Sequence, residues 1–235
     1  MPSSLKISVI IPVYDEAKTI RSCIANVKEC CGENSEIIIV DGSADGSTLS
    51  AVDDEGVMCL SSPPGRAVQM NIGAGKTAGD ILLFLHADTT LPPKADALVR
   101  NALCAPCATA GAFKLGFDTP SRTMKFIAFI ADLRCRMERV PYGDQAIFIP
   151  KSTFMELGGF PEIPLMEDVE LFQSIKKRRL EIVILKESIT TSARRYLATG
   201  PLRCAFRNTC LRLLHRFGVR AETLVALYRR RKVQS

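Results

Sequence analysis

The segment Ile81-Leu-Leu-Phe-Leu-His-Ala-Asp88 limits the possible folds more than any other stretch of the chain. A short apolar run without polar interruption reads as a strand buried on both faces, and so as one strand of a parallel sheet. Ligands of such sheets bind outside the carboxyl ends of the strands. His86 and Asp88 would then stand at the ligand edge. Alternate residues of a strand share a face, so the two could reach one ion together. Asp and His are both ligands for a borderline divalent metal. The plainer alternative is that Asp88 caps the helix introduced by Leu91-Pro92-Pro93.

The flanking sequence repeats the strand–helix alternation of a doubly wound sheet. Strands are expected at 6–12, 36–41, 57–60 and 81–85, and helices at 18–31, 45–53, 65–78 and 92–104. The order β-α-β-α argues for an α/β fold with a mostly parallel sheet flanked by helices. Beyond about residue 108 the pattern loosens. The alternating segment 109–117 looks like a strand at a sheet edge. A long amphipathic helix follows over 120–139, with Met124, Ile127, Ala131 and Met137 on its apolar side. A strand at 146–149, helical turns at 151–157, a helix at 165–178 and a strand at 182–185 complete the body. The tail carries helices over about 201–217 and 221–232. The expected organisation is a domain over 1–193, with halves 1–107 and 108–193, and a basic helical extension over 194–235.

Composition narrows the class. The 235 residues are 47% apolar, enough for a core. The mean hydropathy is only +0.12, and no apolar run reaches the roughly 18–20 residues of a membrane span. The N-terminal residues lack the three regions of a signal peptide. The expected location is cytoplasmic, and the nine scattered cysteines suit a reducing compartment. Cys104-Ala-Pro-Cys107 is a lone CxxC with no second pair to complete a zinc site. Net charge is +6, but Arg194 to Ser235 holds eleven Arg or Lys against one acid, Glu222. That is +10, which leaves the first 193 residues at −4. A tail of this kind faces phosphates, whether of nucleic acid, anionic lipid or substrate.

Several polar segments fall at strand or helix ends. Pro12-Val-Tyr-Asp-Glu16 leaves the first strand with a ring and two carboxylates, which suits a nucleotide base or simply a helix N-terminus. Val40-Asp-Gly-Ser-Ala-Asp-Gly-Ser47 leaves the second. Asp45 there is a natural N-cap, whereas Asp41 is not needed for capping and could accept hydrogen bonds from a base or ribose. Arg66 opens a helix, where a cation is locally unfavourable, and so suggests a phosphate or carboxylate partner. Glu167 and Asp168 open another; they serve the helix dipole or, if held rigidly, supply a catalytic base. Asp144 and Gln145 face an acceptor or form a turn. His215 reads as a surface or packing residue.

Taken in order, Pro12-Val-Tyr-Asp-Glu16, Asp41 to Ser47, the helix with Arg66 and Asn71, His86-Ala-Asp88 and Glu167-Asp168 resemble the inverting family 2 glycosyltransferases of GT-A fold. The likeness covers about residues 1–190. Gly65-Arg66-Ala67, Tyr142-Gly-Asp-Gln145 and Ser192-Ala-Arg-Arg195 are similar to a small soluble bacterial subgroup. The resemblance implies a nucleotide-diphosphate sugar as donor and a divalent ion, Mn²⁺ or Mg²⁺, as cofactor. Asp41 would contact the base, with Pro12, Tyr14 and Glu16 lining the base and ribose pocket and Arg66 supporting the nucleotide. Asp88 would match the last acid of the family's Asp-x-Asp and bind the metal; His86 replaces the first acid and stays a candidate ligand. Asp168 would be the general base, with Glu167 beside it. Arg194 and Arg195 would meet the diphosphate or an anionic acceptor.

Two other readings compete. A nucleotidyltransferase shares the sheet logic but usually carries a glycine-rich basic loop after the first strand, where this chain has Tyr14-Asp15-Glu16. A non-catalytic domain could use its basic tail on nucleic acid or membrane. Phe206, Leu211, Leu213, Leu214, Phe217, Leu224, Leu227 and Tyr228 in the tail would pack on the domain or on a second subunit. The sharper option is peripheral contact with a membrane whose lipid-linked molecules serve as acceptors.

Overall fold

The computed structural model describes residues 5–104 and 108–229. The first half alternates strictly: β1 (Ile7–Val13), α1 (Ile20–Cys30), β2 (Ser35–Asp41), α2 (Ser47–Ser50), β3 (Val57–Ser61), α3 (Arg66–Lys76) and β4 (Ile81–Phe84). A two-residue β5 (Thr89–Thr90) precedes α4 (Ala95–Cys104) and β6 (Ala108–Lys114). Then come α5 (Arg122–Glu138), β7 (Ile147–Pro150), α6 (Lys151–Glu156), α7 (Glu167–Lys177) and β8 (Glu181–Ser188). The chain closes with β9 (Thr190–Thr191), α8 (Arg194–Thr199), α9 (Pro201–Arg216) and α10 (Ala221–Arg229).

Seven strands form the main sheet in the order β3-β2-β1-β4-β7-β6-β8. β1 is parallel to β2 and β4, and β2 to β3. β7 pairs antiparallel with both β4 and β6, while β6 and β8 are parallel, so β7 alone runs against the rest. The order turns round between β1 and β4, which opens a crevice beyond their carboxyl ends.

The apolar runs are explained by the two layers that cover the sheet. Ile7, Val9 and Ile11 of β1, Ile37 and Ile39 of β2, and Ile81 and Leu83 of β4 pack against α1 and α4. The intervening Ile10, Ile38, Val40, Leu82 and Phe84 pack against α3, α6 and α7. A strand with period two must be apolar at every position when both faces are covered. Gly73 lets α3 approach closely, since a Cβ there would lie 2.6 Å from Ile10 Cγ2 and 3.1 Å from Val40 Cγ2. Gly73→Val should therefore lower the unfolding free energy by about 1–3 kcal/mol through overpacking. Urea denaturation reads this directly, and an unchanged midpoint would mean that α3 can slide off the sheet.

Several expectations need correction. β6 is not an edge strand; it lies between β7 and β8. Its small residues reflect crowding, because a Cβ on Gly111 would meet Phe148 Cζ at 2.5 Å and Val183 O at 2.6 Å. Asp45 does not occupy the N-cap of α2, which is Gly46; its Oδ1 instead accepts the Ser47 N–H at 3.1 Å. Met137 is 77% exposed and belongs to the outer side of α5. In the tail, Leu211 and Leu224 pack inward, but Phe206, Leu213, Leu214, Phe217 and Leu227 do not. Cys104 is exposed and unbonded, while Cys107 and the end of the last tail helix lie outside the described residues.

Candidate active site

The ends of β1 and β2 form one side of the crevice. Val13 and Asp41 stand in register there. The Gln69 side-chain amide of α3 donates to Val13 O and Val40 O, both at 2.7 Å, and fixes the two strand ends together. Asp41 is 1% exposed. Its Oδ1 accepts from the Ser43 N–H at 2.8 Å and hydroxyl at 2.6 Å. Its Oδ2 is buried without a hydrogen-bond partner among the described residues. A buried acceptor in this condition costs free energy unless a ligand supplies the donor. Glu16 accepts from Thr19 Oγ1 at 2.7 Å, and its backbone N–H donates to Thr48 Oγ1 at 3.1 Å. Tyr14 projects as an exposed ring on the rim, and Pro12 sits within β1 opposite Val40.

Arg66, His86, Asp88 and Asp168 line the neighbouring cavity, whose volume is about 460 Å³. β4 ends at Phe84, so His86 and Asp88 lie in the turn beyond it and not on the pleat. Strand alternation therefore does not bring them onto one face. Asp88 ion-pairs with Arg194 at 3.3 Å. The same guanidinium also pairs with Glu16 and so spans the two halves of the crevice. Burial raises the Asp88 pKa, with Arg194 opposing. His86 Nε2 has no hydrogen-bond partner among the described residues. It faces Gly143, where a Cβ would lie 3.4 Å from Nε2 and 3.3 Å from Asp168 Oδ2. Burial, then Arg66 and Arg195, push its pKa down to about 3, so the ring is neutral.

Glu167 and Asp168 are both buried at the start of α7, behind Met166 in a left-handed conformation (φ 70°). Glu167 is taken by an ion pair with Arg66. Burial opposes the Arg66 charge, but Glu167 and Asp168 outweigh it and hold the guanidinium pKa above its ordinary value. That pairing accounts for the cation at the start of α3. Asp168 Oδ2 accepts the Gly143 N–H at 2.6 Å, and Oδ1 accepts the Val169 N–H at 2.7 Å. Burial first, and the Glu167 charge second, raise the Asp168 pKa to about 6 against Arg66 and these two bonds.

Gly143 reaches Asp168 because β7 is reversed. The segment before an antiparallel strand arrives at the edge where parallel strands end. The short 3-10 turn Gly143–Gln145 therefore closes the cavity, with Asp144 Oδ1 buried and unpartnered among the described residues.

The C-terminal helices supply another wall, of which Arg194 and Arg195 were expected and the rest were not. β5 and β9 pair Thr89 with Thr191, joined by a 2.9 Å hydroxyl bond, and so anchor the chain before Arg194 beside Asp88. Arg195, Tyr196, Asn208 and Arg212 line the cavity with Arg134 and Tyr142 of the α5–β7 region. Arg134 stacks 3.9 Å over the Tyr142 ring, and Arg212 binds Glu138 at 2.6 Å. Arg195 stands in the Arg194-Arg195 pair that the sequence marks; no local pattern marks Tyr196, Asn208 or Arg212, which meet the cavity through packing of the tail against the domain and α5. Asn71 and His215 have other duties: Asn71 exchanges two hydrogen bonds with the Phe160 backbone, and His215 Nε2 meets Glu170 at 2.8 Å.

Among the described residues no three His, Cys, Asp or Glu side chains form a ready-made metal centre. The donor set nonetheless suits an ion shared with a ligand. Asp88 offers a carboxylate whose ionic partner is the exposed Arg194, and the His86 Nε2 stands unpartnered in the same cavity.

The mostly parallel sheet flanked by helices is similar to the fold of the GT-A glycosyltransferases. The chain belongs to glycosyl transferase family 2, whose model matches residues 8–160. It is 31% identical over 99 residues to the undecaprenyl-phosphate 4-deoxy-4-formamido-L-arabinose transferase of Aeromonas hydrophila, a match covering 37% of this chain and 30% of that protein. It is 34% identical over 91 residues to glycosyltransferase AglE of Haloferax volcanii, covering 35% and 30%. These matches thus span less than a third of the curated relatives. The fold is shared with a mannosyltransferase of Pyrobaculum calidifontis solved with GDP-Man and Mn²⁺: TM-score 0.63, 22% identity, covering 80% of this chain and 57% of that one.

Proposed function

We propose that this chain moves a glycosyl group from a nucleotide-diphosphate sugar to an acceptor hydroxyl, with inversion at the anomeric carbon. The observation that carries the reading is Asp168. It is a buried carboxylate on the cavity wall, fixed by the Gly143 N–H, with its pKa raised to about 6. A base with these properties is rigid and ionised at neutral pH, yet basic enough to take a hydroxyl proton. The acceptor oxygen bonds to the anomeric carbon as the bond to the diphosphate breaks with its electron pair. The proton passes to Asp168. One base and one displacement give inversion.

Asp41, with its unpartnered Oδ2, is the group we assign to the base, and Pro12, Tyr14 and Glu16 to the wall around base and ribose. Asp88 is assigned to a divalent ion, Mn²⁺ or Mg²⁺, with His86 the further imidazole able to share it. The ion supplies charge neutralisation on the leaving diphosphate. Arg194 and Arg195 stand where they can add to that neutralisation. Arg66 acts mainly through Glu167, which it engages in an ion pair and so holds away from the reacting hydroxyl. The apolar lining of the cavity beside Arg134 and Arg212 favours an acceptor with an apolar body and an anionic group. Support for a nucleotide sugar also comes from the GDP-Man and Mn²⁺ of the mannosyltransferase that shares the fold.

A melting-temperature panel of UDP-, GDP- and dTDP-sugars with and without Mn²⁺ tests the donor site. A ligand at about one hundred times its Kd adds about 2.7 kcal/mol to stability. For a chain of this size that is about 5–10 °C in Tm. One nucleotide family should give such a shift, larger with the ion. No shift with any of them would overturn the assignment.

A further inference from the structure

We propose that the outer faces of α5 and α9 form a docking surface for an anionic lipid bilayer, placed so that the cavity opens onto it. Both helices are apolar on two sides. On α5 the inner side (Met124, Ile127, Cys135) is buried in the protein. A second stripe, Phe126, Phe129, Ile130, Leu133 and Met137, is exposed. Its spacing of three, four, seven and eleven residues places the stripe within about 100° of arc on a helix of 3.6 residues per turn. On α9 the inner side is Cys204 and Leu211. Leu202, Phe206, Leu213 and Phe217 form an exposed stripe within about 60° of arc. Phe206 is 72% and Phe217 83% exposed. A helix that needs only one apolar face to fold has no internal reason for a second.

The two stripes meet the cavity. Phe126 and Ile130 of α5 and Leu202 of α9 are exposed and also line it. Exposed apolar residues of both stripes thus form part of the wall of the cavity that holds Asp168.

Charge selects the occupant. Arg203, Arg216 and Arg220 flank the α9 stripe, are exposed, and form no ion pair with any described residue. A two-fold interface between copies of this chain would use the same patch twice and bring these cations together. Nucleic acid would neutralise the arginines but leave the phenylalanines in water. Anionic headgroups over acyl chains satisfy both, as in interfacial helices that combine basic and large apolar residues. The surface stands independently of the transfer chemistry, so it can fail while that reading survives.

The test is co-sedimentation of the full chain with phosphatidylcholine vesicles, with and without phosphatidylglycerol at three parts in ten, in low and high salt. Wild type should bind the anionic vesicles and lose most of that binding in high salt. The triple variant Phe129→Ser, Phe206→Ser, Phe217→Ser replaces no residue that lines the cavity. It should keep its melting temperature and any nucleotide-induced shift, yet bind anionic vesicles at least about tenfold more weakly. Equal binding by the variant would overturn the proposal, as would absence of binding by wild type. A wild-type dimer in solution that the variant dissociates would assign the face to a second copy instead. Tight binding of a short duplex DNA that survives the serine changes, without vesicle binding, would assign it to nucleic acid.

Discussion

Asp168→Asn should lower kcat by about 10²–10⁴-fold while leaving nucleotide-induced stabilisation nearly intact. Asparagine keeps the shape and can still accept the Gly143 N–H that Asp168 Oδ2 accepts at 2.6 Å. It cannot take a proton from a hydroxyl. The pH profile gives a second, independent readout. A general base works only when deprotonated, and the Asp168 pKa is raised to about 6. In the wild type, kcat/KM should therefore rise with pH through about 6 and level off near 7. The residual rate of the variant should show no inflection there. The stability effect runs the other way. An acid whose folded pKa lies above its unfolded value binds more protons when folded, so it costs stability as pH rises through that window. The window here runs from 3.8 to about 6, so Asp168→Asn removes that pH-dependent cost while giving up one of the two N–H bonds, and its stability should change little with pH across the window. A fully active Asp168→Asn protein would exclude this residue as the base.

The largest expected loss of stability comes from Arg66→Met. The arginine balances Glu167, whose side chain is only 2% exposed. Removing one member of a buried pair leaves an uncompensated charge, which costs about 3–5 kcal/mol. The Arg66 side chain is 38% exposed, and water reaching it screens part of the interaction, so the lower end, about 3 kcal/mol, is expected. Adding Glu167→Gln to Arg66→Met should recover much of that loss, because the orphaned charge disappears with it. Urea denaturation of the two singles and the double closes the cycle. A loss below about 1 kcal/mol for Arg66→Met would place the pair among ordinary surface ion pairs.

The parallel half of the sheet was readable because double-sided burial leaves a plain mark: Ile37 to Val40 and Ile81 to Phe84 are apolar at every position. The order of acids at strand ends was readable too, since Asp41 follows its run directly and Asp88 lies in the turn just beyond the other. The direction of β7 was not. Ile147-Phe-Ile149 has the same apolar pattern whichever way the strand runs, and direction depends on the connections around it. The place of β6 was misread because its alternation suggested an edge, whereas Phe148 and Val183 crowd Gly111 from the strands on either side. The double-sided character of α5 is written in its sequence, but merging both stripes into one apolar side hid Met137. Arg134 and Arg212 reach the cavity from segments far apart in the chain, and no spacing encodes such a meeting.

The reversal of β7 also separates what the chain can vary from what it must keep. The strand enters from the 3-10 turn that holds Asp168 and exits at Pro150–Lys151 on the far rim of the sheet. There the Lys151 N–H donates to Asp80 O at 2.8 Å and its Nζ to Thr77 O at 2.6 Å, beside the start of β4. An extra residue at the Pro150–Lys151 junction would fall on a rim remote from the chemistry. A single residue inserted between Tyr142 and Gln145 would displace the donor that fixes the base. The two ends of one four-residue strand thus differ in what an insertion would disturb, and the difference follows from the strand's orientation.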